Sequence, residues 1–404
     1  MTTPDQRPEG SPQPLSGEAV TDAVTTREDR PESTPQPQSN TAVTAAMTGP
    51  DHQAARVTTT TRVHVKQPRW SRVDGVLLLD KPIGLSSNAA LQRARRLLCA
   101  EHGGHTGTLD PMASGLLPLV FGDAAKFGQT LLDSDKTYVA RVRLGTRTTT
   151  ADAEGEVIEQ CPVPPLDAAA IEAVLARFRG PIEQVPPMYS ALKRDGVPLY
   201  RLARQGIAVD RAPRNVHIHE LVLEAHRGQE QTPESRMLKS MAQGWQAQEG
   251  QAQEGQASNE LAAPDLLIRV RCSKGTYIRT LAEDLGAAIG CGAHLAALRR
   301  TQVGEFRIVQ AMTLAALEAL EPAARLACLL PVDAPIARLP QLQLDAVASA
   351  RLAHGQSIAG AAPDGLSGPA RAYSAQGRFL GLVDCTLGVV RPQRLVRSRD
   401  DAPG

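Results

Sequence analysis

Residues 103–115, GGHTGTLDPMASG, place one carboxylate, Asp110, among four glycines, two threonines and a histidine, with Pro111 directly after it. The stretch has neither the lysine of a GxxxxGK[ST] loop nor GxGxxG spacing, so it is not a phosphate cradle. Neighbouring N–H groups and hydroxyls are able to hold an aspartate ionised and aimed. Pro111 biases Asp110 towards an extended backbone, while Gly103, Gly104, Gly107 and Gly115 permit sharp turns or close approach of a ligand. A tight turn closed by an Asx-type hydrogen bond explains the same residues on spacing alone.

Aromatic residues shift that balance. The chain has only 12 Phe, Trp and Tyr, and four of its tyrosines sit beside basic residues. Tyr138 lies in DSDKTYVARVRLG, Tyr189 in PPMYSALKRDG, Tyr200 in GVPLYRLARQG and Tyr277 in CSKGTYIRTLAEDLG. Scarce aromatics interleaved with cations are what unstacked bases need, a stacking face beside phosphate contacts. Tyr373 falls in no such context and is assigned to packing. Arg279 opens a helix, where the dipole disfavours a cation, so it reaches solvent or pairs with a distant carboxylate. Arg299 and Arg300 are candidate phosphate contacts or solvated surface. No Ser/His/Asp order, HExxH, Walker motif or pair of catalytic carboxylates is present. A single aspartate without a partner acid or metal ligands suits a nucleophile or base acting on an electrophilic ring.

The elements that must position these residues follow from periodicity. GVLLLDKP (75–82) reads as a buried strand, and Ser86 or Ser87 caps the helix SNAALQRARRLLCA. LLPLVFG and KTYVARVRLG read as strands; LDAAAIEAVLARFRG reads as a helix closed by Gly180, and TYIRTLAEDLGAAIG as one closed by Gly290. NVHIHELVLEAH and DLLIRVRCS alternate as strands and flank residues 228–262, a polar tract with AQEGQ twice in tandem. That tract reads as a loop inserted between neighbouring strands. Residues 1–70, rich in Pro, Thr, Ser and Gln, read as a disordered extension. An α+β domain over 71–330, with a mixed or antiparallel sheet, is followed by a small mostly-β module over 336–397.

Charge and cysteines narrow the class. Residues 1–70 hold 7 basic and 8 acidic side chains, residues 228–262 hold 2 and 5, and the remainder 35 and 30. The folded part is thus mildly basic, which suits a nucleic-acid partner. Six scattered cysteines form no CxxC pair and no zinc spacing, as expected of reduced thiols in the cytoplasm. No apolar run approaches a membrane span, and the N-terminus has no signal-peptide pattern.

DKPIGLSSNAAL (80–91) followed by GGHTGTLDPMASGLLPL (103–119) resembles the two N-terminal motifs of the TruB-type tRNA pseudouridine synthases. The likeness continues, in family order, through DKTYVARVRLG, PPMYSALKRDGVPLYRLARQG, CSKGTYIRTLAEDLG and GAHLAALRRTQVGEF, covering roughly 73–330. It implies isomerisation of a T-loop uridine of tRNA, at position 55 in bacterial members, without cofactor or metal. It further implies that Asp110 is the catalytic aspartate, Arg279 its basic partner, and Tyr138 the tyrosine that stacks on the base and takes part in proton transfer. Tyr277 and Leu298 match residues of the uracil pocket, and His105 the histidine packed against RNA where the base has left. Lys81 and Pro82 match the KPxG motif beside the active-site loop, and Lys81 is counted among the substrate-binding residues. Residues 336–397 occupy the place of a PUA-like RNA-binding module. The resemblance implies a monomer that acts on the T-arm stem-loop with no obligatory protein partner. The alternatives are a guide-RNA-dependent relative of the same superfamily and a non-catalytic tRNA-binding or folding module.

Overall fold

The computed structural model describes residues 70–190, 192–225 and 265–397. The 1–70 extension, Trp70 apart, and the 228–262 tract lie outside the described residues. No helix among the described residues is long and apolar enough to cross a membrane.

A ten-stranded mixed sheet forms the larger part. Its strands are β1 (Gly75–Lys81), β2 (Gly103–His105), β3 (Ala113–Phe121), β4 (Lys136–Leu144), β5 (Gly180–Gln184), β6 (Arg214–Ala225), β7 (Asp265–Cys272), β8 (Ala293–Val303), β9 (Phe306–Arg307) and β10 (Met312–Thr313). The order is β10-β1-β3-β8-β4-β7-β6-β5, with β2 on β3 and β9 on β8. Most pairings are antiparallel; β10 with β1 and β8 with β3 run parallel. The two strands that flank the 228–262 tract, β6 and β7, are antiparallel neighbours, as their alternation anticipates.

Burial of both faces explains why β1 is apolar from residue 76 to residue 79. Leu77 and Leu79 enter one core, while Val76 and Leu78 enter a second on the opposite face. Helices α1 (Ser87–Leu97), α2 (Ala168–Ala176) and α3 (Ile278–Ile289) cover the first face through Ala90, Leu91, Ile171, Leu175, Leu281 and Leu285. Their ends obey local chemistry. Ser86 accepts from the N–H of Ala89 at 3.1 Å to cap α1, and Asp167 accepts from Ala170 at 2.7 Å to cap α2. Gly290 ends α3 in the left-handed region at φ 91°. Gly180, expected to close α2, instead begins β5; the helix has already ended at Arg177.

Beyond residue 340 the chain builds a five-stranded sheet from β11 (Gln341–Leu344), β12 (Ile358–Ala359), β13 (Gly368–Ser374), β14 (Phe379–Thr386) and β15 (Val389–Leu395). With α4 (Ala346–Ala353) it encloses its own core of Leu342, Leu344, Leu352, Val383 and Val390. It meets the 3-10 turn that follows β3, Gly122–Phe127, through Phe127 and Phe379, edge to face at 5.6 Å, and through Lys126 Nζ, which donates to the Leu395 carbonyl at 2.7 Å.

Candidate active site

Asp110 lies on the segment joining β2 to β3, and backbone bonds hold that segment on both sides. The Ser87 hydroxyl donates to the Leu109 carbonyl at 3.0 Å and accepts from the Leu109 N–H at 2.8 Å. Gly84 of the KPIG turn donates to the Pro111 carbonyl at 2.8 Å. Thr106 donates its hydroxyl to Pro118, at 3.2 Å, and so secures the loop rather than the carboxylate. Gly115 serves strand packing rather than the approach of a ligand. A Cβ on Gly115, at φ 108°, would sit 2.3 Å from the Arg300 carbonyl oxygen, so glycine here admits strand β8.

Arg279 arrives from α3 with its side chain 6% exposed, beside an Asp110 side chain that is 37% exposed. Its Nη2 lies 3.1 Å from Asp110 Oδ2 and donates to the Tyr189 carbonyl at 2.7 Å. Its Nη1 lies 3.4 Å from Asp152 Oδ2. The expectation that Asp110 has no partner acid is therefore corrected: two carboxylates share one guanidinium. Asp152, 3% exposed, is held by the Thr150 hydroxyl at 2.5 Å and the Glu154 N–H at 3.1 Å. Ala151 just before it is buried at φ 61°, a strained conformation of the kind that persists where surrounding structure enforces it. Its sequence context, TTTADAEGE, reads as an ordinary turn, and no local spacing links it to Arg279.

Gln184 is equally silent in the sequence. This residue, 2% exposed at the end of β5, accepts from the Tyr277 N–H at 3.0 Å and donates to the Tyr277 carbonyl at 3.3 Å. Tyr277 is the N-cap of α3 and makes no side-chain cap bond, so Gln184 fixes the helix entry two residues before Arg279. The only sequence signal is a polar residue ending a strand before Pro186-Pro187.

Tyr138 on β4 faces Arg300 on β8 as a direct cross-strand partner. The assignment of Arg299 and Arg300 to phosphate contacts or solvated surface fails. Arg300 is 1% exposed and donates to the carbonyls of Leu116 at 2.8 Å, Gly107 at 3.1 Å and Thr108 at 3.5 Å. Arg299 forms a two-pronged pair with Asp80 at 2.7 and 2.9 Å. Lys81 has no accessible surface. Its ammonium donates to the carbonyls of Leu85 at 2.6 Å and Pro82 at 2.9 Å, so it secures the KPIG turn beneath the Asp110 loop. Leu298, on β8, is the cross-strand neighbour of Ala113 and Ala140. His105 is half-buried on β2, with Nδ1 buried and unpartnered.

Burial dominates the electrostatics. It raises the Asp110 carboxyl above the usual carboxylate range; Arg279 and Lys81 pull it down, and Asp152 pushes it further up. Arg279 alone thus does not leave this acid below its ordinary value. Burial brings Lys81 down to about 8, against the pull of Asp110. Burial, with Arg300 beside it, lowers His105, which favours the neutral imidazole. Tyr138 is raised by burial, while Arg300, its cross-strand partner, opposes the shift.

Comparison with known proteins gives the same outline. Family models match residues 95–241 (TruB family pseudouridylate synthase, N-terminal domain), 279–337 (tRNA pseudouridylate synthase B C-terminal domain) and 340–396 (pseudouridine synthase II TruB, C-terminal). A tRNA pseudouridine synthase B of Burkholderia mallei is 50% identical over 337 residues, 82% of this chain and 97% of that one. That of Cupriavidus metallidurans is 50% identical over 340 residues, covering 82% and 98%, and that of Aromatoleum aromaticum 52% over 334, covering 82% and 96%. Among solved structures, a Cbf5-Nop10-Gar1 complex matches with a TM-score of 0.54 and 23% identity, over 83% of this chain and 87% of that one. An archaeal box H/ACA sRNP Nop10-Cbf5 complex matches at 0.53 and 22%, over 83% and 88%. These two likenesses concern the fold.

Proposed function

This chain belongs to the TruB family of pseudouridylate synthases, and we propose that the pocket around Asp110 is where it performs the family's reaction. The protein isomerises uridine to pseudouridine in tRNA, and its family acts at position 55. The observation that carries the site assignment is the Arg279–Asp110 contact at 3.1 Å, with the cation buried and the carboxylate open on one side.

The target uridine leaves its stack at a cost of a few kcal/mol. Tyr138 offers the aromatic platform that offsets it, Tyr277 and Leu298 line the uracil, and His105 takes the space vacated in the RNA. Ionised Asp110 then acts on the nucleotide as the N1–C1′ bond breaks. The uracil rotates and C5 bonds to C1′. Tyr138, after releasing its phenol proton to solvent, takes the proton from C5, and N1 gains one from solvent. Nothing is consumed and nothing is released. Arg279 keeps Asp110 anionic against the burial that favours its acid form. Lys81, Ser87 and Gly84 hold the loop that carries it.

The protein acts as a monomer on the isolated T-arm stem-loop, in the cytoplasm, with no guide RNA or protein partner. Its C-terminal module, residues 336–397, adds RNA contacts, and the catalytic domain spans 71–330. The test is to incubate full-length protein with a T-arm transcript and map pseudouridine, beside Asp110→Asn. Pseudouridine at the T-loop position from wild type alone supports the reading; product from the Asp110→Asn protein at the wild-type rate overturns the assignment of Asp110.

A further inference from the structure

Arg300 has no part in the scheme above, yet it is among the largest fully buried side chains of the protein. Burying a guanidinium is costly unless its donors are bonded. Its acceptors lie on two sides of the pocket floor. Nε and Nη2 donate to Leu116 and Gly107, and Nη1 reaches Thr108, two residues before Asp110. Across the sheet, Arg300 is the register partner of both Tyr138 on β4 and Gly115 on β3. Gly115 has no Cβ, so β3 and β8 approach closely enough for this reach.

We propose that Arg300 is a positioning residue that locks the Asp110 loop to Tyr138 and presents the phenol oxygen as acceptor of the C5 proton. The inference rests on the pseudouridine-forming reading of this pocket. In the step concerned, the C5–H bond breaks and its electron pair restores the C5–C6 double bond. The proton passes to the phenolate oxygen. Arg300, the register partner of Tyr138, opposes the burial that raises the phenol, so it assists loss of the phenol proton to solvent and leaves a phenolate ready for the C5 proton. The other titratable groups facing Tyr138 are Asp110 and Cys272. Asp110 works against the phenolate, and burial pushes the Cys272 thiol up to about 12, so it stays neutral. Among these groups Arg300 is the cation that favours it.

The experiment is a double-mutant cycle with full-length protein, read as single-turnover pseudouridine formation on a T-arm transcript across neutral to alkaline pH. Arg300→Lys keeps the charge but loses the fork. It is expected to slow the step about 100-fold, leave tRNA affinity unchanged and move the alkaline limb to higher pH. In a Tyr138→Phe background the same substitution should cost less than about a tenth of that factor. If the Arg300→Lys protein does not fold, Arg300→Gln, which retains amide donors for the loop carbonyls, replaces it in the cycle. An equal loss in both backgrounds, or a pH profile superimposed on wild type, overturns the role of Arg300. Those outcomes are distinct from failure of the underlying reading, which would show as no pseudouridine from wild type or an undiminished rate in Tyr138→Phe alone.

Discussion

Among the described residues, arginine, aspartate and tyrosine are brought together in two places, with opposite outcomes. Where the C-terminal module joins the segment before it, Arg371 Nη1 lies 2.8 Å from Asp333 Oδ2 and 3.1 Å from the Tyr373 hydroxyl, while Nε donates to Leu339 at 3.0 Å. Tyr373 donates to the same Asp333 oxygen. It is therefore not the simple packing residue its sequence context suggests; burial and the Asp333 bond hold its hydroxyl at about 12. The three groups satisfy one another, and Asp333 is 11% exposed. Around Asp110 the set stays open. Arg279 and Arg300 are fully engaged from behind, whereas the carboxylate keeps 37% of its surface. A closed set of charges holds structure together; an open one, anchored from behind, has bonding capacity left for a substrate.

Breaking each set should therefore fail differently. Asp110→Asn should lower single-turnover pseudouridine formation by at least about 10³-fold while thermal melting and tRNA binding stay as in wild type. Asp333→Ala should do the reverse. It leaves Arg371 buried without a counter-charge, at about 3 kcal/mol, read by denaturant unfolding, and the rate at saturating tRNA is preserved. A lost rate in the Asp333→Ala protein, or a lost melting transition in the Asp110→Asn protein, would erase the contrast.

Subtler changes sharpen it. Gln184→Ala should loosen the entry of α3 and displace Arg279, costing about 100-fold in rate and about 1–3 kcal/mol from the unpaired Tyr277 backbone. Asp152→Asn tests the electrostatics. Asp110 needs to be ionised, so activity is lost as pH falls through its raised pKa. Asp152 pushes that pKa up, so neutralising it should move the acid limb to lower pH even as the plateau rate drops about tenfold. An acid limb that moves upward would mean that Arg279 had left Asp110. Removing residues 1–69 should have the smallest effect, no change in rate, which assays of the truncated protein check.

Much of the frame was legible in the chain. Ser86 before an amphipathic run marks α1, Gly290 ends α3, and alternating apolar residues mark β6 and β7, because caps and periodicity are local interactions. Gly180 misled for the same reason. Glycine serves a strand start at φ 86° as readily as a helix end, and the chain alone does not distinguish them. Arg299 and Arg300 misled more deeply. A basic residue in a strand reads as solvated or RNA-facing, and only pairing across the sheet reveals which face it occupies.

The sequence by itself determined the glycine-rich loop with its single aspartate, the scarce tyrosines, the out-of-place cation at the start of α3, and the family. These are matters of residue type and of order along the chain. Tertiary structure alone decided that Asp152 shares Arg279, that Gln184 holds the start of α3, and that Arg300 supports the pocket from beneath. It also decided that burial, not the nearest cation, sets the direction of the Asp110 pKa. Each of these depends on strand register and on the removal of water from charges far apart in sequence, and neither is encoded in any single stretch.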